Sequence, residues 1–281
     1  MLPPFLIVFD IETIPDESLA VQVLGEDGDT FEDVLEKRRQ KYKKDSIEDV
    51  FLPPAFHQIT CIAYFARLTN SDGTVERHLG AFSPQMGEEG ILKAFWKTMG
   101  RLILKAQQFS DSLPPEERPV IPSIITYNGK LFDIPAILAR TMKYRDVFLE
   151  AKMEDKNVAR GLSVFLDDGD RWEREKANYT HPYSRYNIDL IEMLGGRSKH
   201  TLYAMCSLCN IPVKTEGKGN EVLSYYKNGE FEKIARYCAE DVKATYMLYL
   251  NYLLLKANVQ KMQTIREEME SVKALELKII A

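Results

Sequence analysis

Five consecutive apolar residues, Phe5-Leu-Ile-Val-Phe9, lead without a break into Asp10-Ile-Glu12. A short, unalternating run of strand formers reads as a buried central strand, so the chain has to cover both faces of the sheet it belongs to. Residues two apart in a strand point to one face. Asp10 and Glu12 therefore project side by side from the end of that strand, and the fold must provide for two carboxylates there.

Two further acids stand far along the chain. Thr126-Tyr-Asn-Gly-Lys-Leu-Phe-Asp133 carries Asp133 near the start of a predicted helix that follows a predicted strand. Tyr237-Cys-Ala-Glu-Asp241 carries Asp241 on a predicted helix, and Tyr237, one turn earlier, shares its face. Four carboxylates gathered in one place repel each other unless cations lie between them. The set reads as a two-metal phosphoryl-transfer site, with Mg²⁺ suited as a hard cation held by carboxylates, waters and substrate phosphate. Asp-x-Glu and Tyr-x-x-x-Asp each occur once in the chain, so neither is specific alone. Their positions at a strand end, a strand-to-helix turn and an amphipathic helix carry the argument.

Between these segments the pattern predicts a charged insertion over about residues 15–54, with a helix from Thr30 to Lys44. Strands follow over His57–Leu68 and Thr74–Phe82, joined by a turn at Asn70-Ser-Asp-Gly73. An amphipathic helix spans Gly90–Gln108, a strand Val120–Tyr127 and a helix Leu131–Lys143. Residues 150–184 read as polar loop with at most a short hairpin. A short strand at Tyr186–Leu190 precedes helices over Thr201–Cys209, Val222–Lys227 and Phe231 to Lys256. A charged helical extension occupies about residues 257–281. A hairpin group followed by alternating strands and helices predicts an α/β sheet of mixed direction with helices on both faces.

With 281 residues, the chain is long enough for one large domain with a substantial core, or for two smaller ones. No apolar run is long enough to span a bilayer and no signal peptide is visible, so the expected location is cytoplasmic, with no membrane partner. Four cysteines are too few for a disulfide framework. A net charge of −5 argues against tight non-specific duplex binding. It leaves room for a nucleic-acid enzyme with weak, local contacts, because metal-bound acids add negative charge without making the loaded site repulsive.

Phe9-Asp-Ile-Glu-Thr13, Tyr127-Asn-Gly-Lys-Leu-Phe-Asp-Ile-Pro135 and Tyr237-Cys-Ala-Glu-Asp241 resemble the three motifs of the DEDD superfamily of 3'-5' exonucleases. The tyrosine of the third motif marks the DEDDy branch; the sister branch has a histidine where this chain has Arg236. The second motif is most similar to stand-alone exonucleases related to the proofreading domain of family B DNA polymerases. The resemblance runs from about Phe5 to Leu254. It implies a ribonuclease H-like mixed five-stranded sheet and a single 3'-5' exonuclease domain over residues 1–281. It also implies two divalent metal ions, Mg²⁺ or Mn²⁺, held by Asp10, Glu12, Asp133 and Asp241, with Asp10 bridging both. Tyr237 would orient the attacking water. Thr13 and Asn128 would contact the terminal nucleotide, and Phe132 would stack on or wedge against a terminal base. The partners implied are single-stranded 3' ends, DNA before RNA, with nucleoside 5'-monophosphates as product.

Several alternatives stay open at this point: an exoribonuclease, a catalytically silent nucleic-acid-binding module on the same fold, and a metal-dependent phosphoesterase acting on small nucleotides. Cys206-Ser-Leu-Cys209 lacks the further ligands a zinc site needs and reads as core. Asp189 is a candidate to support the site from behind. The basic stretch Lys37–Lys44 reads as a solvated helix face or as a flap on a phosphate backbone. Lys214 and Lys218 pose the same choice, solvated or touching phosphate. Trp172 carries no clear signal.

Overall fold

The structure, a computed structural model, describes residues 2–167, 176–195, 200–213 and 219–281. Its strands are β1 (Phe5–Pro15), β2 (His57–Thr69), β3 (Val75–Phe82), β4 (Ser123–Thr126), β5 (Asn187–Asp189) and β6 (Lys278–Ile280). They form one mixed sheet in the order β5-β4-β1-β2-β3-β6. β2 runs antiparallel to β1 and β3, while β1, β4 and β5 are parallel. The apolar run is thus the interior strand that its composition predicts. The five expected strands are joined by a sixth, because the chain turns back after its last helix and β6 pairs in parallel with β3. This covers part of an edge that would otherwise be open.

The helices are α1 (Glu17–Leu24), α2 (Phe31–Lys41), α3 (Gly87–Asp111), α4 (Asp133–Lys143), α5 (Arg145–Glu154), α6 (Lys156–Phe165), α7 (Leu190–Gly195), α8 (Leu202–Leu208), α9 (Gly219–Lys227), α10 (Phe231–Leu254) and α11 (Val259–Lys273). The period of two along β1 divides them between its faces. Phe5, Ile7, Phe9 and Ile11 enter a core with Phe95, Trp96 and Met99 of α3. Leu6, Val8 and Ile14 enter a second core with Ile234, Cys238 and Val242 of α10.

Residues 150–184 depart from the expected loop. α6 buries Val158, Gly161, Leu162 and Phe165 against α3. A side chain at Gly100 would fall 1.8 Å from the Asn157 carbonyl oxygen, and one at Gly161 2.1 Å from that of Trp96. Two helices meeting backbone to backbone need glycine at the contact. Glycine is also what weakens the helical signal in the sequence.

The insertion is also more structured than one predicted helix. α1 starts at Asp16, whose carboxylate accepts from the Leu19 N–H, and α2 starts at a Thr30–Asp33 capping box. The segment is closed at its base, where the Asp16 N–H donates to the Phe56 carbonyl at 2.8 Å. Below that closure Arg140 bridges Asp16 at 2.7 Å and Glu88 at 2.6 Å, and Glu88 also accepts from the Ile59 N–H and the Tyr144 hydroxyl.

Candidate active site

Asp10 and Glu12 continue the Leu6–Val8 series on β1 and so face α10. The Cys238 thiol of α10 donates to the Asp10 carbonyl at 3.3 Å, which ties the helix to the tip of the strand. The ligand atoms of Asp10, Glu12 and Cys238 all lie within 4.8 Å of one another. The β1–β2 register shifts directly after Glu12: Glu12 faces Cys61, but Thr13 faces Ile59. The extra residue, Thr60, returns its hydroxyl to the Glu12 carbonyl at 2.9 Å. Such bulges bend a strand and re-aim its side chains, and here the bend falls beside the two acids.

Asp133 arrives from a different backbone. The β4 strand ends at Thr126, and the turn that follows holds Asn128 at φ +68°, a left-handed conformation that asparagine tolerates better than most residues. A side chain at Gly129 would meet Thr126 at 2.5 Å. Asp189, at the end of neighbouring β5, grips this turn. Its carboxylate accepts from the backbone N–H of Asn128 at 2.7 Å, of Lys130 at 3.0 Å and of Ile191 at 3.2 Å. The turn delivers Asp133 to the first residue of α4, where its carboxylate is buried and the backbone N–H groups of Asp133 itself and of Ile11 on β1 favour its charged form. That last contact brings the second motif to the first.

The electrostatics follow from the crowding. Asp10 and Glu12 are half-buried. Burial pushes the proton affinity of Asp10 well up, and the charges of Asp133, Glu12 and Asp241 add to it. Glu12 is raised well above its usual range by burial, then by Asp241 and Asp133. Asp133 is pushed up to about 7, chiefly by burial. Tyr237 is also raised, by burial and then by Asp241, Glu12 and Asp10. Asp10, Glu12 and Tyr237 therefore all feel the charge of Asp241, and Asp10 and Glu12 that of Asp133 as well. Among the described residues no lysine or arginine forms an ion pair with Asp10, Glu12 or Asp133. Hard oxygen donors, like-charged and without a cationic side chain between them, fit a divalent cation.

The residues expected to meet substrate are tied into the protein. The Thr13 hydroxyl lies 2.9 Å from His57 Nδ1, and the other ring nitrogen of His57 lies 3.1 Å from the Leu52 carbonyl. Burial pushes the His57 ring below its usual value, so it stays neutral. Phe132 packs edge-on against His57 at 5.0 Å and touches Phe51 at 5.1 Å. His57, Cys238 and the full grip of Asp189 are the parts that sequence reasoning misses or only touches, since no local pattern marks them. Cys206 is buried and Cys209 is part-buried in the α10 core, as expected. Lys214, Lys218 and Trp172 lie outside the described residues. No helix among the described residues is long and apolar enough to cross a membrane.

An α/β sheet with helices on both faces, bearing acids from a strand, a helix start and a second helix at one strand tip, defines the class. The family described as a predicted 3'-5' exonuclease related to the exonuclease domain of PolB matches residues 49–279, and the chain belongs to that family. The matched stretch includes Asp133, Tyr237 and Asp241. Asp10 and Glu12 precede it and join through the pairing of β1 with β2. No curated protein matches the chain. A solved structure, that of the family B DNA polymerase from the hyperthermophilic archaeon Pyrobaculum calidifontis, is similar over 90% of this chain at 15% identity and a TM-score of 0.44. The chain spans 25% of that polymerase's length.

Proposed function

We propose that residues 1–281 act as one divalent-metal-dependent 3'-5' exonuclease that releases nucleoside 5'-monophosphates from single-stranded 3' ends, DNA before RNA. The observation that carries this reading is the cluster of Asp10, Glu12, Asp133 and Asp241, in which the charges of Asp133 and Asp241 raise the proton affinity of Asp10 and Glu12. These four residues would hold two Mg²⁺ or Mn²⁺ ions. When bound, such ions polarise the scissile phosphate, sharpen a water as nucleophile and stabilise the leaving oxygen. Tyr237 keeps its proton at neutral pH, because burial and the neighbouring acids oppose its ionisation. Its part is to donate a hydrogen bond that orients the attacking water, not to take a proton from it. Asn128, held by Asp189 beside Asp133, offers an amide to the terminal nucleotide. Asp189 is a positioning residue, acting through the turn it grips.

The test is incubation of the full chain with matched DNA and RNA oligonucleotides, single- and double-stranded, with Mg²⁺ or Mn²⁺. The expected result is stepwise shortening from the 3' end, fastest on single-stranded DNA, with 5'-monophosphates as product. No release with either metal overturns the proposal. Faster shortening of RNA redirects it to an exoribonuclease.

A further inference from the structure

Phe51 is 67% exposed, yet it is held in place. Its neighbour Leu52 is 3% exposed and offers its carbonyl to His57, and Pro53 and Pro54 stiffen the chain that follows. One side of the Phe51 ring rests against His57 at 5.1 Å and Phe132 at 5.1 Å, while the rest faces solvent. Each brace is one step from the acids. His57 bonds Thr13, the residue after Glu12, and Phe132 is the residue before Asp133. Leu131, the residue before Phe132, is 61% exposed. An anchored aromatic ring turned to water beside an acid cluster contributes little to the core, but it offers a flat apolar face to a ligand.

We propose that Phe51 is a nucleobase-stacking residue of this site: an unpaired base at the 3' end of a strand lies on its open face while the adjoining phosphate meets Asp10, Glu12 and Asp133. The assignment rests on the exonuclease reading above. It gives the insertion a direct part in substrate binding, through a residue outside all three acid-bearing motifs. An aromatic face takes any base, so Phe51 adds affinity and sets preference for an unpaired end without reading sequence.

The test compares wild type with Phe51→Ala, Phe51→Leu and Phe51→Trp on two oligodeoxythymidylates, one with an ordinary 3' end and one with an abasic 3'-terminal residue. Melting temperatures check that the variants are folded. Removing a stacking ring is expected to lower kcat/KM on the ordinary end by about 5- to 150-fold, carried by KM. Phe51→Leu should fall nearly as far, because it keeps bulk but loses the π face, and Phe51→Trp should retain activity. On the abasic end all four chains should be equally slow. Phe51→Ala keeping pace with a wild type that digests the ordinary end overturns this assignment alone. Equal losses by Phe51→Ala on both ends also overturn it, since they mean that Phe51 acts through Phe132 and His57. A wild type that releases nothing from the ordinary end overturns the exonuclease reading and this assignment together.

Discussion

Two clusters of carboxylates in this protein are treated in opposite ways. Behind the insertion, Glu88 is 2% exposed and Asp16 11%, and the Arg140 guanidinium satisfies both, with Tyr144 and the Ile59 N–H completing the shell of Glu88. Although burial pushes the Asp16 carboxyl up, its hydrogen bond to Arg140 prevails and holds it below the usual range. At the tip of β1, Asp10, Glu12 and Asp133 have no such partner among the described residues, and all three are pushed up. The first cluster is closed: every charge is answered inside the fold. The second is charge-deficient, and what it lacks is positive charge from outside. Uncompensated carboxylates are costly to bury, which is why such a set points to a ligand rather than to stability.

The comparison breaks most sharply at Asp10. Asp10→Ala or Asp241→Ala is expected to reduce nucleotide release below detection in the oligonucleotide assay. Without metal the melting temperature should hold or rise, because like-charge repulsion falls. An active Asp10→Ala chain would remove the acids from the mechanism. Arg140→Met should do the reverse. Breaking a buried pair leaves its partner uncompensated and costs about 3–5 kcal/mol, read as a fall in denaturant midpoint, while the folded fraction keeps its turnover per molecule. A loss of turnover in that folded fraction would mean that the closed cluster also shapes the site.

The smaller effect is pH dependence, and its sign differs between the clusters. Asp133, raised to about 7, binds its proton more tightly folded than unfolded. Its contribution to stability is full below about pH 4 and is lost as pH rises through about 7. Asp16 is lowered, so its contribution is present above about pH 4 and is lost as pH falls toward its folded value. Metal-free melting temperatures should therefore decline from about pH 5 to about pH 8. Asp133→Asn should make that limb shallower, with Asp10 and Glu12, raised in the same sense, supplying the remainder, and Asp16→Asn should flatten only the acid side. Added Mg²⁺ should restore stability most at the alkaline end. A metal-free melting temperature that rises from pH 5 to pH 8 would contradict the uncompensated state of Asp133.

Much of the site's inventory was legible because it is local. The strand that presents Asp10 and Glu12 shows in five apolar residues, and Tyr237 and Asp241 share a face at helical spacing. The second motif announces its turn through Asn128 and Gly129, whose conformation and close packing the structure displays. Less was legible where glycine stands at a helix contact, as in α6, since the residue that permits the packing also weakens the helical pattern. The insertion reads as charged and solvated because most of it is. Its return segment, with Leu52 inward and Phe51 outward, has no periodicity to detect.

What the sequence determined by itself was therefore the mixed α/β architecture and the elements that carry the candidate acids, all of which rest on patterns a few residues long. Only the tertiary structure decided which distant groups meet. Thr13 reaches His57 across 44 positions, Asn128 reaches Asp189 across 61 and Asp16 reaches Arg140 across 124. The physical reason is that periodicity and turn chemistry act along the chain, whereas compensation of charge acts through space. Whether a buried carboxylate finds a guanidinium or awaits a cation depends on the packing of remote elements. The same packing sets Phe51 against His57 and Phe132, with much of its ring open to water.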